Sequence, residues 1–314
     1  MNRLPRCSLI LAAVLSLSRP AWVCAQTPPL SPTASPSAPP SPPPEAEKLA
    51  LTVDAAARLT LPVMIDGQGP FPFLIDTGSD RTVISRELAT RLNLAAGPQV
   101  TMHESTGVAD VGTVVVRRLS FGQTLIDRIE APDLAAANLG AAGFLGLDSL
   151  RDLQIEMDFA AMRLTVSPSR PEPFDPDNIV VHGRSRFGQL ILVDAQVRGQ
   201  RVYVVLDTGA EISIGNPALL RALNGPTSHT DPTGRAEIFS VTGRQMAVDV
   251  QTVSRADIGG LVIVNLPIAF AQLHTFDRFG LTRQPALLLG MDVLSKCRRV
   301  VVDLRRREAV FTLR

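Results

Sequence analysis

Residues 59–85 read LTLPVMIDGQGPFPFLIDTGSDRTVIS, and residues 190–214 read LILVDAQVRGQRVYVVLDTGAEISI. Each stretch gives an alternating apolar run, a glycine turn at Gly67 or Gly199, a second apolar run, the triplet Asp-Thr-Gly, an acidic residue two places on, and another short strand. Alternation with a period of two around a glycine is the pattern of a half-buried hairpin. The chain therefore spells the same hairpin twice, each time running into a tight turn at Asp76 or Asp207. A short helical pattern follows in both places, ELATRLNL from Glu87 and PALLRAL from Pro217.

The correspondence continues down both halves. Thr106-Gly107 answers Thr242-Gly243, amid the β-rich stretches VGTVVVRRLSFG and MAVDVQTVSRADIGG. Phe144-Leu145-Gly146-Leu147-Asp148 then answers Leu288-Leu289-Gly290-Met291-Asp292, and the halves finish on the strand pairs IEMDFAAMRLTV and VVVDLRRREAVFTL. A long repeat used only twice implies two similar lobes about an approximate two-fold axis rather than a solenoid. The expected fold is all-β: two pseudo-symmetric β-barrel lobes in one chain, each with a short helix. The lobes are expected over 49–167 and 188–314, joined by a linker over 168–187 whose signal is the proline-rich run SPSRPEPFDPD from Ser167.

The N-terminus reads as an export signal over 1–25. Arg3 and Arg6 precede the apolar run Leu9–Leu17, and Val23-Cys24-Ala25 offers a small-residue cleavage site. That run is shorter than the roughly 20 residues a membrane-spanning helix needs. The expectation is a periplasmic or secreted protein without a transmembrane segment, cleaved near Ala25. Residues 26–48, rich in proline, serine and alanine, bury nothing and read as a disordered spacer. Cleavage would remove Cys7 and Cys24, leaving Cys297 alone, so no disulfide framework is expected. The net charge is +1 and no basic run is interleaved with aromatics, which gives no sign of a nucleic-acid partner. His103, His182, His229 and His274 are scattered without ligand spacing, so no metal site is expected.

Three aspartate pairs recur: Asp76 with Asp207, Asp148 with Asp292, and Asp158 with Asp303. Asp148 and Asp292 follow a glycine and precede an apolar helical run, the setting of a carboxylate that caps a helix start. Asp158 and Asp303 sit where a hairpin turns. Asp76 and Asp207 differ, because Phe73-Leu74-Ile75 and Val204-Val205-Leu206 bring the chain out of a buried strand directly before the carboxylate. A buried charge there is costly unless hydrogen-bonded, and the following Thr and Gly supply a hydroxyl and unhindered backbone amides. Two such turns in matching frames point to a paired-carboxylate site.

These residues resemble the retropepsin-like aspartic peptidases, whose halves each contribute an Asp-Thr-Gly loop and a later apolar-apolar-Gly element. The resemblance spans roughly Leu59 to Arg314 and rests on Asp76-Thr77-Gly78-Ser79, Asp207-Thr208-Gly209-Ala210, Leu145-Gly146 and Leu289-Gly290. It is similar to a fused, secreted bacterial form in which one chain supplies both half-sites, and it implies a monomer with an internal pseudo-dimer. It further implies that Asp76 and Asp207 are catalytic and that Thr77 and Thr208 lock the two loops together. Asp80 and Glu211 would hold substrate backbone, and the hairpins at Gly107 and Gly243 would be flaps. An extended peptide or unfolded protein would be the substrate, hydrolysed by an activated water without a cofactor. Of the two turns, Ser79 offers a hydroxyl where Ala210 offers none, so Asp76 is expected to carry the charge more often. The alternative function is a catalytically silent peptide-binding or scaffolding protein that keeps the two-lobed cleft.

Overall fold

The computed structural model describes residues 59–225 and 232–314. The expected signal segment, the proline-rich spacer, the first residues of the first lobe and His229 lie outside the described residues. The two hairpins form as the alternation predicts. Leu61–Ile65 pairs antiparallel with Gln68–Ile75 through Asp66-Gly67, and Ala195–Val197 pairs with Gln200–Arg201 through Arg198-Gly199. Both loops have φ near +49° and +80° at their two residues, the conformation whose twist suits a two-residue hairpin and which favours glycine at the second position.

In the first half, six strands close into a ring: Leu61–Ile65, Gln68–Ile75, Gly143–Leu145, Val83–Ser85, Thr124–Leu134 and Thr113–Phe121, the last pairing back onto the first. Alternate residues point inward, among them Val63, Phe73, Val116 and Leu119, all essentially buried. In the second half the equivalent of the first strand is interrupted at Val193-Asp194. Its front portion, Gln189–Leu192, pairs with Tyr203–Leu206, and its rear portion, Ala195–Val197, pairs with Gln245–Ile258. The fold is all-β, with short helices at Arg86–Arg91 and Pro217–Asn224 at the positions expected. Ser85 and Asn216 cap them, their side chains accepting from the amides of Leu88 and Leu219. Further single-turn helices lie at Ala136–Leu139, Leu147–Leu150, His274–Arg278 and Met291–Leu294.

The halves share a sheet. Leu153–Asp158 from the first lies against Arg299–Asp303 from the second, with Arg163–Pro168 and Glu308–Thr312 flanking them. The non-strand connection between the halves is narrower than the sequence suggests. Asn178–Arg186, expected within the linker, is a strand that pairs with Glu308–Thr312 and then with Gln189–Leu192. Only the proline-bearing stretch 169–177 stays out of the sheet, because prolines cannot donate to the ladder whereas Val181 can bury its side chain against the shared core.

This topology delivers both Asp-Thr-Gly turns to one point. In each half the strand before the motif runs parallel to the later apolar strand, Phe73–Ile75 beside Gly143–Leu145 and Tyr203–Leu206 beside Ala286–Leu289. The amides of Asp76 and Asp207 bond the carbonyls of Leu145 and Leu289 at 3.0 and 3.1 Å. Beyond the motif, Leu147 and Asp148 donate to the carbonyls of Ser79 and Asp80, as Met291 and Asp292 do to Ala210 and Glu211.

Candidate active site

Asp76 and Asp207 are buried, at 1% and 2% exposure, where the two halves meet. Each Oδ1 accepts the amide of its own motif glycine, Gly78 at 2.8 Å and Gly209 at 2.9 Å. The threonines interlock the loops with four bonds. Thr77 Oγ1 donates to the Leu206 carbonyl at 2.9 Å and accepts from the Thr208 amide at 3.1 Å; Thr208 Oγ1 donates to the Ile75 carbonyl at 2.8 Å and accepts from the Thr77 amide at 3.1 Å. The amide and hydroxyl of both buried threonines are thereby satisfied across the lobe boundary, which holds the carboxyls in a fixed relation.

Burial pushes both carboxyls up. Asp76 lies well above the usual carboxylate range, first because it is desolvated and then because the Asp207 charge stands beside it. Asp207 is raised to about 6, also by desolvation, which the amides of Gly209 and Ala210 partly offset. Ala210 N reaches Asp207 Oδ1 at 3.2 Å. The expected hydroxyl bond from Ser79 to Asp76 is not made. The Ser79 hydroxyl turns away and donates to the Arg81 carbonyl at 2.9 Å, while the backbone of Ala210 gives Asp207 its second donor. The main-chain amides act in the same direction on both sides, those of Gly78 and Ser79 lowering Asp76 as those of Gly209 and Ala210 lower Asp207.

The other aspartate pairs fall away from this point. Asp148 accepts from the amide and hydroxyl of Thr82 at 2.9 and 2.7 Å, and Asp292 accepts from the Ser213 hydroxyl at 2.8 Å. Both occupy the first turn of a helix whose N-cap is a glycine, the placement expected, and the Val293 amide bonds the Asp292 carboxyl. They also reach back to brace the segment that follows each motif. Asp158 and Asp303 accept turn amides at Ala161 and Arg306, each 2.8 Å away, where hairpins reverse.

Asp80 is half-buried and ion-paired with Arg278 from the other half. Glu211 is also half-buried, and its carbonyl accepts the Asp292 amide. Gly107 and Gly243 lie at the ends of two hairpins, Val100–Glu104 with Gly107–Val111 and Gly234–Phe239 with Gln245–Ile258. The two hairpin ends meet. Glu104, 6% exposed, accepts the Thr242 hydroxyl at 2.8 and 2.9 Å, and Arg244 stands 4.0 Å away. Val241 beside them lines recesses on both sides of the carboxyls, one with Gly78 and Asp207, the other with Asp76 and Gly209.

Sequence reasoning missed several participants. Gln189, buried, donates to the Gly78 carbonyl at 2.5 Å, and its one signal was a polar residue opening an apolar strand. His103 on the first hairpin and His274 at the start of a helix meet at 2.8 Å with stacked rings, a contact between residues scattered in the sequence. The His103 imidazole is held below its usual range by partial burial, by Arg278 and by His274. Among the described residues no group of three His, Cys, Asp or Glu side chains could hold a metal ion. No described helix is long and apolar enough to cross a membrane. Cys297 is buried and its thiol pushed up to about 11 by desolvation, which leaves it a packing group.

The family model for aspartyl proteases matches residues 61–149 and 193–293, with one segment on each motif-bearing half. The chain belongs to the aspartyl proteases. Among solved structures, a retropepsin-like aspartic protease from Rickettsia conorii is 16% identical, the alignment covering 43% of this chain and 90% of that one with a TM-score of 0.30. Basic 7S globulin from soybean is 11% identical, with 81% of this chain and 96% of that one covered and a TM-score of 0.41. Comparison with curated proteins returns no match. For this aspartyl protease, the two matched segments end on Ser149 and Val293, so each carries both the Asp-Thr-Gly turn and the later apolar-Gly element.

Proposed function

We propose that this aspartyl protease hydrolyses internal peptide bonds of extended or unfolded polypeptide, with Asp76 and Asp207 sharing the acid–base work. The observation that carries the reading is a pair of buried carboxyls brought together at the lobe boundary by the interlocked threonines Thr77 and Thr208, both pushed up by desolvation. Carboxyls so arranged keep one proton between them over a wide pH range. We assign the role of base to Asp207, whose Oδ1 accepts the Gly209 and Ala210 amides at 2.9 and 3.2 Å.

Asp207 as carboxylate takes a proton from water, whose oxygen adds to the peptide carbonyl carbon, while the Asp76 proton passes to the carbonyl oxygen. The resulting diol collapses with cleavage of the C–N bond. The amine nitrogen takes the proton held on Asp207, and Asp76 recovers one from a diol hydroxyl. Thr77 and Thr208 keep the loops in register, and the hairpins ending at Gly107 and Gly243 close over the substrate backbone. Asp80 and Glu211 flank the cleft as backbone-binding groups. Both half-sites lie in one chain, which favours action as a monomer with an internal pseudo-dimer. The N-terminal sequence favours a periplasmic or secreted location.

Incubation of the full chain with an unfolded protein, beside Asp76→Asn and Asp207→Asn, tests the reading. Wild type should release peptides and each variant should lose the activity. Cleavage that survives both substitutions overturns the mechanism, and an inert wild type that still binds peptide favours the silent binding protein.

A further inference from the structure

The two sides of the carboxyl pair are chemically unlike. Around Asp76 and Gly209 the wall is apolar, formed by Leu74, Leu139, Phe144 and Val241. On the opposite side, the recess at Asp207 and Gly78 opens past Ser79, Met102, His103 and Arg278 into a cavity of about 930 Å³, since those four residues line both. Five arginines border that cavity: Arg81, Arg151, Arg278, Arg305 and Arg307.

The cavity also has three aspartates, two of which are committed. Asp80 is ion-paired with Arg278, and Asp148 accepts both donors of Thr82. Only Asp152, exposed on the rim, remains to answer the other arginines. Among the described residues, Arg81, Arg151, Arg305 and Arg307 form no ion pair within 4.0 Å, although acidic partners hold many of the other arginines, such as Arg86, Arg117 and Arg299. A concave, cation-lined arm raises the local concentration of anions, and the guanidinium fork matches a carboxylate.

We propose that this arm selects acidic side chains, so that preferred substrates carry Asp or Glu on one side of the scissile bond and an apolar residue on the other. The inference rests on the hydrolytic reading only for what happens to the bound peptide. Selection of charge is a property of the cavity itself. Each exposed ion pair contributes little, and a few arginines acting on one carboxylate reach roughly a tenfold preference. Because the groups are solvent-facing, that preference should shrink as salt shortens the screening length.

The test uses unstructured Ser/Gly/Ala peptides with one central apolar pair, in which Glu, Gln or Lys is scanned outward on both sides. Cleavage efficiency is measured with the full chain, and binding is measured by fluorescence anisotropy with the Asp76→Asn chain. Glu should exceed Gln roughly tenfold on one side only, Lys should be disfavoured there, and the Arg305→Glu, Arg307→Glu double variant should shift the preference toward Lys. Equal handling of Glu, Gln and Lys on both sides overturns the proposal. A wild type that cleaves nothing while anisotropy still ranks Glu above Lys removes the hydrolytic reading and leaves the acidic preference standing. Cleavage without charge preference does the reverse.

Discussion

A Cβ placed on Gly78 would stand 2.5 Å from Oδ2 of Asp207, and one on Gly209 would stand 2.5 Å from Oδ1 of Asp76. Each motif glycine thus faces the carboxyl of the opposite lobe. Neither has φ in the left-handed region, so the requirement is for space and not for an unusual backbone. The third residue of each triplet sets how closely the partner lobe can approach.

Gly78→Ala is accordingly expected to push Asp207 off its position. Overpacking at a rigid interface costs about 1–3 kcal/mol. The protein should keep its strand content by circular dichroism, lose melting temperature, and lose hydrolysis by at least about tenfold, the rate equivalent of 1.4 kcal/mol. Unchanged turnover would mean that the loops can part without consequence for the chemistry.

The paired carboxyls also set a pH dependence. Desolvation raises Asp207 to about 6 and holds Asp76 well above its usual range, so the pair gives up its first proton near pH 6. These are properties of the pair. Hydrolysis should therefore climb through about pH 6 and decline once the pair loses its second proton. A pH–rate profile with its maximum well below pH 6 would contradict a first ionisation of the pair near pH 6.

Much of this arrangement was legible in the sequence because it is written in local demands on the backbone. The Asp-Gly and Arg-Gly hairpins, the buried strand ending in a carboxylate, and the recurrence of both at matching places set the lobes and brought out Asp76 and Asp207. What lay beyond reach was pairing between halves. Glu104 meets Thr242 at a separation of 138 residues and His103 meets His274 at 171, and no period in either segment encodes such contacts. The strand Asn178–Arg186 was hidden for the same reason, its partner being the end of the chain. The direction of the Ser79 hydroxyl was hidden because it is decided by a carbonyl two residues on.

Asp292 offers a stability prediction separate from the chemistry. It is 3% exposed, its Oδ2 is buried without a hydrogen-bond partner among the described residues, and desolvation raises it to about 6. A carboxyl raised in the folded state binds its proton more tightly there than in the unfolded chain. Its contribution is fully present below about pH 4, near the unfolded value, and is lost as pH rises through about 6. Asp292→Asn does not titrate, so relative to wild type it should gain stability between those limits by about 2–3 kcal/mol and hold that gain above. Urea unfolding at pH 4 and pH 8 checks this, and equal differences at the two pH values would refute it.

The contact between the two hairpin ends yields the last prediction. Glu104 is nearly covered and accepts the Thr242 hydroxyl with both oxygens, with Arg244 behind it. Glu104→Gln keeps the shape but removes the charge that makes this tie stronger than a neutral hydrogen bond. If the tie holds the hairpins over a bound peptide, its loss weakens substrate binding more than the chemical step, since Asp76 and Asp207 are held from below by Thr77 and Thr208. KM should rise about threefold to tenfold, the equivalent of roughly 1 kcal/mol, with kcat changed less. Amide hydrogen exchange should quicken at Glu104–Gly107 and Ser240–Arg244 while the strand Phe73–Ile75 stays protected. A matching fall in kcat with exchange unaltered would place Glu104 in the chemistry and not in the closure.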